Sequence, residues 1–161
     1  MIFSNSMPTH PLFSILIANY NNGKYLMDAI NSVRQQTYTN WEIIIVDDCS
    51  TDNSLAILKE YEAKDDRITV ISLDKNMGQA HARNIALQKA EGEYVMFFDD
   101  DDICIRNKVE KQVECLDTNP DVDVVTCTTM FDNRNGIMHT LKTLTHADID
   151  ELLQTNDIDH I

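Results

Sequence analysis

Short apolar runs alternate with helix-spaced apolar positions along the first two thirds of the chain, and a polar cluster closes each run. Phe13 to Ala18 (Phe-Ser-Ile-Leu-Ile-Ala) is too short for a helix and rich in branched side chains. It ends at the turn-forming Asn19-Tyr20-Asn21-Asn22-Gly23. Tyr25 to Gln36 then carries Leu26, Ile30 and Val33 on one helical face. Trp41 to Val46 is almost wholly apolar and stops at Asp47-Asp48, the pattern of a strand covered on both faces of its sheet. Asp52 suits the N-cap of a helix whose face is Leu55, Leu58 and Tyr61. Ile68 to Leu73 reads as a third strand and Gly78 to Ala90 as an alanine-rich helix. Tyr94 to Phe98 is a fourth strand, closed by four consecutive aspartates, Asp99 to Asp102.

Beyond Asp102 the pattern weakens. Lys108 to Leu116 has Val109, Val113 and Leu116 at helical spacing, and Val122 to Thr128 reads as a strand. Asp132-Asn133-Arg134-Asn135-Gly136 predicts a turn, that of a hairpin, and Asp148 to Gln154 a short helix. Strands and helices in such alternation predict βαβ units: an α/β, Rossmann-like sandwich with a mostly parallel central sheet flanked by helices, one domain over residues 1–161. Ligands of such sheets bind beyond the carboxyl ends of the strands, where the polar clusters lie.

Composition narrows the chemistry. The 27 acidic residues outnumber the 13 basic ones, a formal net charge of −14 that repels a nucleic-acid backbone. An acidic chain still takes an anionic substrate if a divalent cation comes between them. Cys49, Cys104, Cys115 and Cys127 form no Cys-x-x-Cys pair, and they read as reduced core residues. Neither a leader pattern nor a run of ~20 apolar residues is evident, so the expected localisation is cytoplasmic, including a peripheral position at the inner face of a membrane.

Four like charges at a strand end raise one another's pKa, and a divalent cation removes that cost. On an extended chain Asp99 and Asp101 share one face, with Asp102 recruited if the chain turns. Oxygen ligands favour Mg²⁺ or Mn²⁺. The competing reading of this cluster is a solvated acidic turn that caps the next helix. Asp47 and Asp48 suit an imide N–H or a ribose hydroxyl, or else cap a helix. Tyr20 either packs at the surface or stacks on a flat base. Arg83, one to two turns into its helix, either reaches a diphosphate or pairs with a strand-end aspartate. His81 reads as a surface helix residue.

The stretches Phe-Ser-Ile-Leu-Ile-Ala-Asn-Tyr-Asn (13–21), Ser-Val-Arg-Gln-Gln-Thr-Tyr (32–38), Trp-Glu-Ile-Ile-Ile-Val-Asp-Asp-Cys-Ser-Thr-Asp (41–52), Asn-Met-Gly-Gln-Ala-His-Ala-Arg-Asn (76–84) and Gly-Glu-Tyr-Val-Met-Phe-Phe-Asp-Asp-Asp-Asp (92–102) occur in order. Together they resemble the nucleotide-binding half of the family 2 glycosyltransferases, the inverting family with the GT-A fold. The match is strongest over 11–105. The resemblance implies a nucleotide-sugar donor, UDP-sugar foremost, an Mn²⁺ or Mg²⁺ cofactor, and a glycan or lipid-linked acceptor. It puts Tyr20, Asp47, Asp48, Arg83 and Asp100 at the donor, and Asp99, Asp101 and Asp102 in the Asp-x-Asp element that holds the metal. The sequence departs from the family at Ala18, where Thr or Ser is frequent, at Cys49, and at Asp100, where a small neutral residue is usual.

Inverting transfer also needs a carboxylate base. Asp148, Asp150, Glu151, Asp157 and Asp159 are present, but none sits in a recognisable base motif, so no catalytic residue is assigned. The acceptor-binding part expected of the family is not recognisable here, and a non-catalytic nucleotide-binding module of the same fold stands as the alternative. Other nucleotide and phosphate folds are excluded. The first loop holds only Gly23, against the glycine-rich loops of dinucleotide-binding and P-loop domains. It also lacks the acidic residues that a dehalogenase-like phosphatase or a receiver domain requires there.

Overall fold

The computed structural model describes residues 10–127, and the short strands 130–132 and 138–140. Contacts group the chain into two compact units, Met1–Glu114 and Cys115–Ile161. The first unit is built on β1 (Phe13–Asn19), α1 (Gly23–Arg34), β2 (Trp41–Asp47), α2 (Ser54–Glu62), β3 (Ile68–Ser72), α3 (Gln79–Lys89) and β4 (Tyr94–Phe97), followed by the start of α4 (Lys108–Thr118). In the second unit β5 (Met130–Asp132) and β6 (Met138–Thr140) pair antiparallel, while residues 133–136 of the expected turn lie outside the described residues.

The four strands run parallel in the order β3-β2-β1-β4. β1 is central, and all seven of its residues are buried. Its alternate side chains feed two cores. Ile15 and Ile17 join Leu26, Ile30 and Val33 of α1 and Leu58 of α2, with Val109 and Val113 of α4. Leu16 and Ala18 lie under Ala82 and Ala86 of α3 on the other face. This double burial is why β1 and β2 read as continuous apolar runs, and each buried branched side chain contributes about 1.5–3 kcal/mol.

The chain moves outward from β1 to β3, then α3 carries it back across to β4 on the other side of β1. Right-handed crossovers in opposite directions put α1 and α2 on one face and α3 on the other. The strand order therefore reverses between β1 and β4, where a crevice opens at the carboxyl ends. Close backbone packing at the amino ends supports this: a Cβ on Gly92 would lie 2.5 Å from Ser14 Oγ and 2.8 Å from Leu12 O.

Two local expectations change. The cap of α2 is Asn53 rather than Asp52. Asp52 instead accepts the Ser54 N–H (2.9 Å) and the Gly23 N–H (3.1 Å), tying the starts of α2 and α1 together. Residues 122–127 form no strand, because no described segment pairs with them and a lone strand leaves its backbone groups unsatisfied within any sheet. The helix expected at Asp148–Gln154 lies outside the described residues. No helix among the described residues is long and apolar enough to cross a membrane.

Candidate functional site

A cavity of about 380 Å³ opens at the strand ends, within the ~300–1,000 Å³ range of small-molecule sites. The end of β1 contributes Ala18, Asn19, Tyr20 and Asn22 to its wall, and β2 contributes Asp48. Asn76, Gly78 and Gln79 line it from the start of α3, and Asp100 from beyond β4. The cavity thus sits where the strand order reverses.

Sheet register explains its floor. Asn19 lies opposite Asp47, and its Nδ2 donates to Asp47 Oδ1 at 2.6 Å. The Ser50 backbone N–H (3.1 Å) and hydroxyl (2.6 Å) donate to the same carboxylate. Asp47 is fully buried and lines none of the cavity. The sequence reading put it beside the ligand with Asp48, but a carboxylate taken out of water must be satisfied inside the protein, and its acceptors hold the β1 and β2 loops together. Asp48 does reach the wall. Its two oxygens accept the Met77 and Gly78 N–H groups, each at 2.7 Å, fixing the entry to α3. Gly78 there has φ 88°, a conformation that favours glycine.

The two loops are further joined by Asn21, whose Oδ1 accepts the Thr51 N–H at 2.7 Å. Asn21 (φ 53°) and Cys49 (φ 63°) both adopt left-handed backbone, one on each loop. Such strain costs about 1 kcal/mol or more per residue and concentrates at functional sites. Tyr20 is 49% exposed at the wall, so its ring remains open to a stacking partner.

The aspartate cluster does not stay extended. The Asp102 N–H donates to the Asp99 carbonyl at 3.3 Å, closing a turn with Asp100 and Asp101 at its corner. The extended-chain pairing of Asp99 with Asp101 gives way to a turn in which Asp102 comes near Asp99. Arg83 Nη2 donates to Asp99 Oδ1 at 2.5 Å, the ion-pair alternative for Arg83, while His81 is exposed. Asn22 Nδ2 donates to Asp100 Oδ1 at 2.8 Å. Burial pushes the Asp100 carboxyl above its usual range, helped by the charges of Asp101 and Asp99 and opposed by the Asn22 hydrogen bond. Burial likewise raises Asp102, with Asp99 and Asp101 adding to it and Lys108 opposing.

Among the described residues no three His, Cys, Asp or Glu side chains gather into a metal cage. A hard cation shared with substrate phosphates needs only one or two carboxylates, with water and phosphate oxygens completing its shell. Of the turn only Asp100 lines the cavity, with Asp99, Asp101 and Asp102 adjoining it in the chain. Carboxylates crowded in this way fit that arrangement, because a cation relieves their mutual repulsion. Asn76 belongs to the Asn-Met-Gly stretch that the sequence marks before α3, whereas Asn19, Asn22 and Gln79 carry no role in the sequence reading. The signal for Asn19 and Asn22 is the run of short amides after β1, which also reads as an ordinary turn.

The model of the family described as Glycosyl transferase family 2 matches residues 14–159. The chain belongs to this family. Among glycosyltransferase family 2 relatives, TuaG of Bacillus subtilis (strain 168), named for teichuronic acid biosynthesis, is 49% identical over 106 residues, 66% of this chain and 42% of TuaG. The Escherichia coli UDP-Glc:alpha-D-GlcNAc-diphosphoundecaprenol beta-1,3-glucosyltransferase WfgD is 41% identical over 105 residues, 65% of this chain and 41% of WfgD. The structure of S. aureus TarS in complex with UDP superposes with a TM-score of 0.63 at 35% identity, covering 67% of this chain and 32% of that one. The Pyrobaculum calidifontis mannosyltransferase PcManGT, in complex with GDP-Man and Mn²⁺, gives 0.62 at 25% identity, covering 66% and 32%. The GT-A-like parallel sheet is thus common to this glycosyltransferase family 2 chain and solved relatives. The chain spans about two fifths of the length of TuaG and WfgD.

Proposed function

We propose that this chain binds the nucleoside diphosphate of a nucleotide sugar, UDP-sugar foremost, and forms the donor half of an inverting glycosyltransferase acting on a glycan or lipid-linked hydroxyl. The observation that carries the reading is one cavity bordered by an exposed aromatic ring, a buried carboxylate at a strand end and Asp100 of the carboxylate turn. Tyr20 stacks on the base, and Asp48 faces base or ribose while bracing α3. Asp101 and Asp102, with Asp99, hold Mn²⁺ or Mg²⁺, and Arg83 adds a positive charge beside the diphosphate. When bound, the cation stabilises the negative charge gathering on the departing nucleoside diphosphate. Asp100 faces the same cavity and is held there by Asn22.

The bound UDP and the GDP-Man with Mn²⁺ in the solved relatives support a nucleotide donor with a divalent cation. The names of TuaG, for teichuronic acid biosynthesis, and WfgD, for transfer to a diphosphoundecaprenol-linked sugar, support a glycan or lipid-linked acceptor. The carboxylates considered as base, Asp148, Asp150, Glu151, Asp157 and Asp159, lie outside the described residues. Calorimetry with UDP tests the reading. Binding is expected with Mn²⁺ and is expected to weaken severely with chelator or in Asp101→Asn, which keeps its fold. Equal affinity in all three conditions rejects the metal assignment.

A further inference from the structure

The stretch Ser32–Tyr38 has no part in the donor site as described, yet it makes a dense set of contacts to the chain that follows the aspartate turn. Gln36, two residues past the end of α1, is 6% exposed. Its Nε2 donates to the carbonyls of Ile105 (2.7 Å), Ser32 (3.2 Å) and Cys104 (3.4 Å). Its Oε1 accepts the Val109 N–H at 3.0 Å, at the start of α4. Ser32 Oγ accepts the Cys104 N–H at 2.9 Å, and the Thr37 N–H donates to the Arg106 carbonyl at 2.9 Å. One side-chain amide and its neighbours thus meet backbone polar groups of the irregular residues 104–106 and an N–H in the first turn of α4, which has no partner within its own helix.

The other end of α1 grips the turn itself, through Asn22 on Asp100. A helix of twelve residues is a rod of about 18 Å. Anchored at both ends to the segment running from Asp100 to Val109, it leaves the aspartates little freedom to move along the cavity. The lower anchor begins at Cys104, two residues beyond Asp102.

We infer that Gln36, supported by Ser32, is a positioning residue that holds the aspartate turn in register with the cavity through α1. It touches neither nucleotide nor cation. The inference rests on the donor-site reading for its functional consequence, but not for the clamp itself. A site whose carboxylates must meet a cation and a diphosphate together depends on such support, because displacements of about 1 Å degrade it. Tyr20 lies before the opposite end of α1, on the loop that Asn21 ties to Ser50 and Thr51, so base stacking does not run through the Gln36 anchor.

The test compares wild type with Gln36→Leu in three measurements: amide exchange at Cys104 and Val109 without ligand, UDP affinity with Mn²⁺, and uridine affinity. Faster exchange at both amides is expected, with UDP–Mn²⁺ binding about tenfold weaker and uridine binding unchanged. Unchanged UDP–Mn²⁺ affinity despite faster exchange overturns the inference, and so does a parallel loss of uridine and UDP, which marks a merely structural residue. Unchanged exchange overturns the clamp. If wild type itself shows no Mn²⁺-dependent UDP binding, the donor-site reading fails first and takes the functional inference with it. Should Gln36→Leu not fold, Ser32→Ala removes the hydroxyl that accepts the Cys104 N–H and donates to the Ala29 carbonyl. It is held to the same comparison with a threefold loss expected, and an equal loss for uridine overturns the inference there too.

Discussion

At the scale of single residues, the site divides into side chains whose polar atoms are already engaged and side chains left facing the cavity. Asp47 belongs wholly to the first group, and Asp48 to both. Tyr20 belongs to the second, with an exposed ring and no part in either core. Tyr20→Ala is therefore expected to leave the melting temperature unchanged and to weaken UDP binding by ~1–3 kcal/mol, the scale of base–aromatic stacking. Unchanged affinity in a titration would make Tyr20 a surface residue. The sequence pointed to Tyr20, Asp48 and the aspartate run because strand-end position brings them to the crevice, although Asp48 is itself buried at the cavity wall. It did not separate Asp47 from Asp48, since adjacent residues on a strand point to opposite sides and only the register with Asn19 says which side is closed. It left a turn at Asp99–Asp102 open beside an extended chain, because the turn depends on a single backbone hydrogen bond.

At the scale of elements, every helix and strand of the parallel layer was legible, because burial on two faces imposes long apolar runs on β1 and β2 and a helical stripe on α1. Boundaries moved by a residue or two where side chains such as Asp52 serve two helix starts at once. Edge strands gave weaker patterns. On β3 the α2 side chains reach over the edge: Glu62 accepts the Val70 N–H at 2.7 Å, and Lys59 donates to the Val70 carbonyl at 3.2 Å. These contacts leave Val70 no open backbone group for another chain to pair with. On the other flank, Gly92 admits the backbone of Leu12 and Ser14, an approach closed to any larger residue. Its N–H also donates to Ser14 Oγ at 2.8 Å. Gly92→Ala should destabilise the fold by about 1–3 kcal/mol, the usual penalty of overpacking. A denaturant midpoint equal to wild type would show that β1 and the turn before β4 can separate without cost.

At the scale of the whole molecule, an excess of acidic residues makes the cation the natural intermediary between protein and substrate, and pH tests the link. Asp100 and Asp102 are raised above the ordinary 3.8, so they take up protons earlier than ordinary carboxylates as the solution is acidified. Cation binding requires the ionised form of Asp102, assigned to the metal, and gains from the charge of its neighbour Asp100. The Mn²⁺-dependent part of UDP affinity should therefore fall with a midpoint above 3.8, while uridine binding stays level through the same range. The two stability contributions have opposite signs. Asp65 is lowered to about 2, chiefly by its hydrogen bonds from Arg67, so its contribution is present above 3.8 and is lost as pH falls toward 2. For the two raised carboxylates, protonation relieves the folded state as pH falls. Mn²⁺ enhancement that persists unchanged to pH 3.8 would show that Asp102 does not hold the cation.

The most direct test is a crystal of the chain soaked with UDP and Mn²⁺. The account predicts a uracil ring stacked on Tyr20, and a metal ion bridging the diphosphate to carboxylates of the Asp99–Asp102 turn. Nucleotide density away from the β1–β4 crevice, or a metal ion bound with no oxygen from that turn, would contradict it.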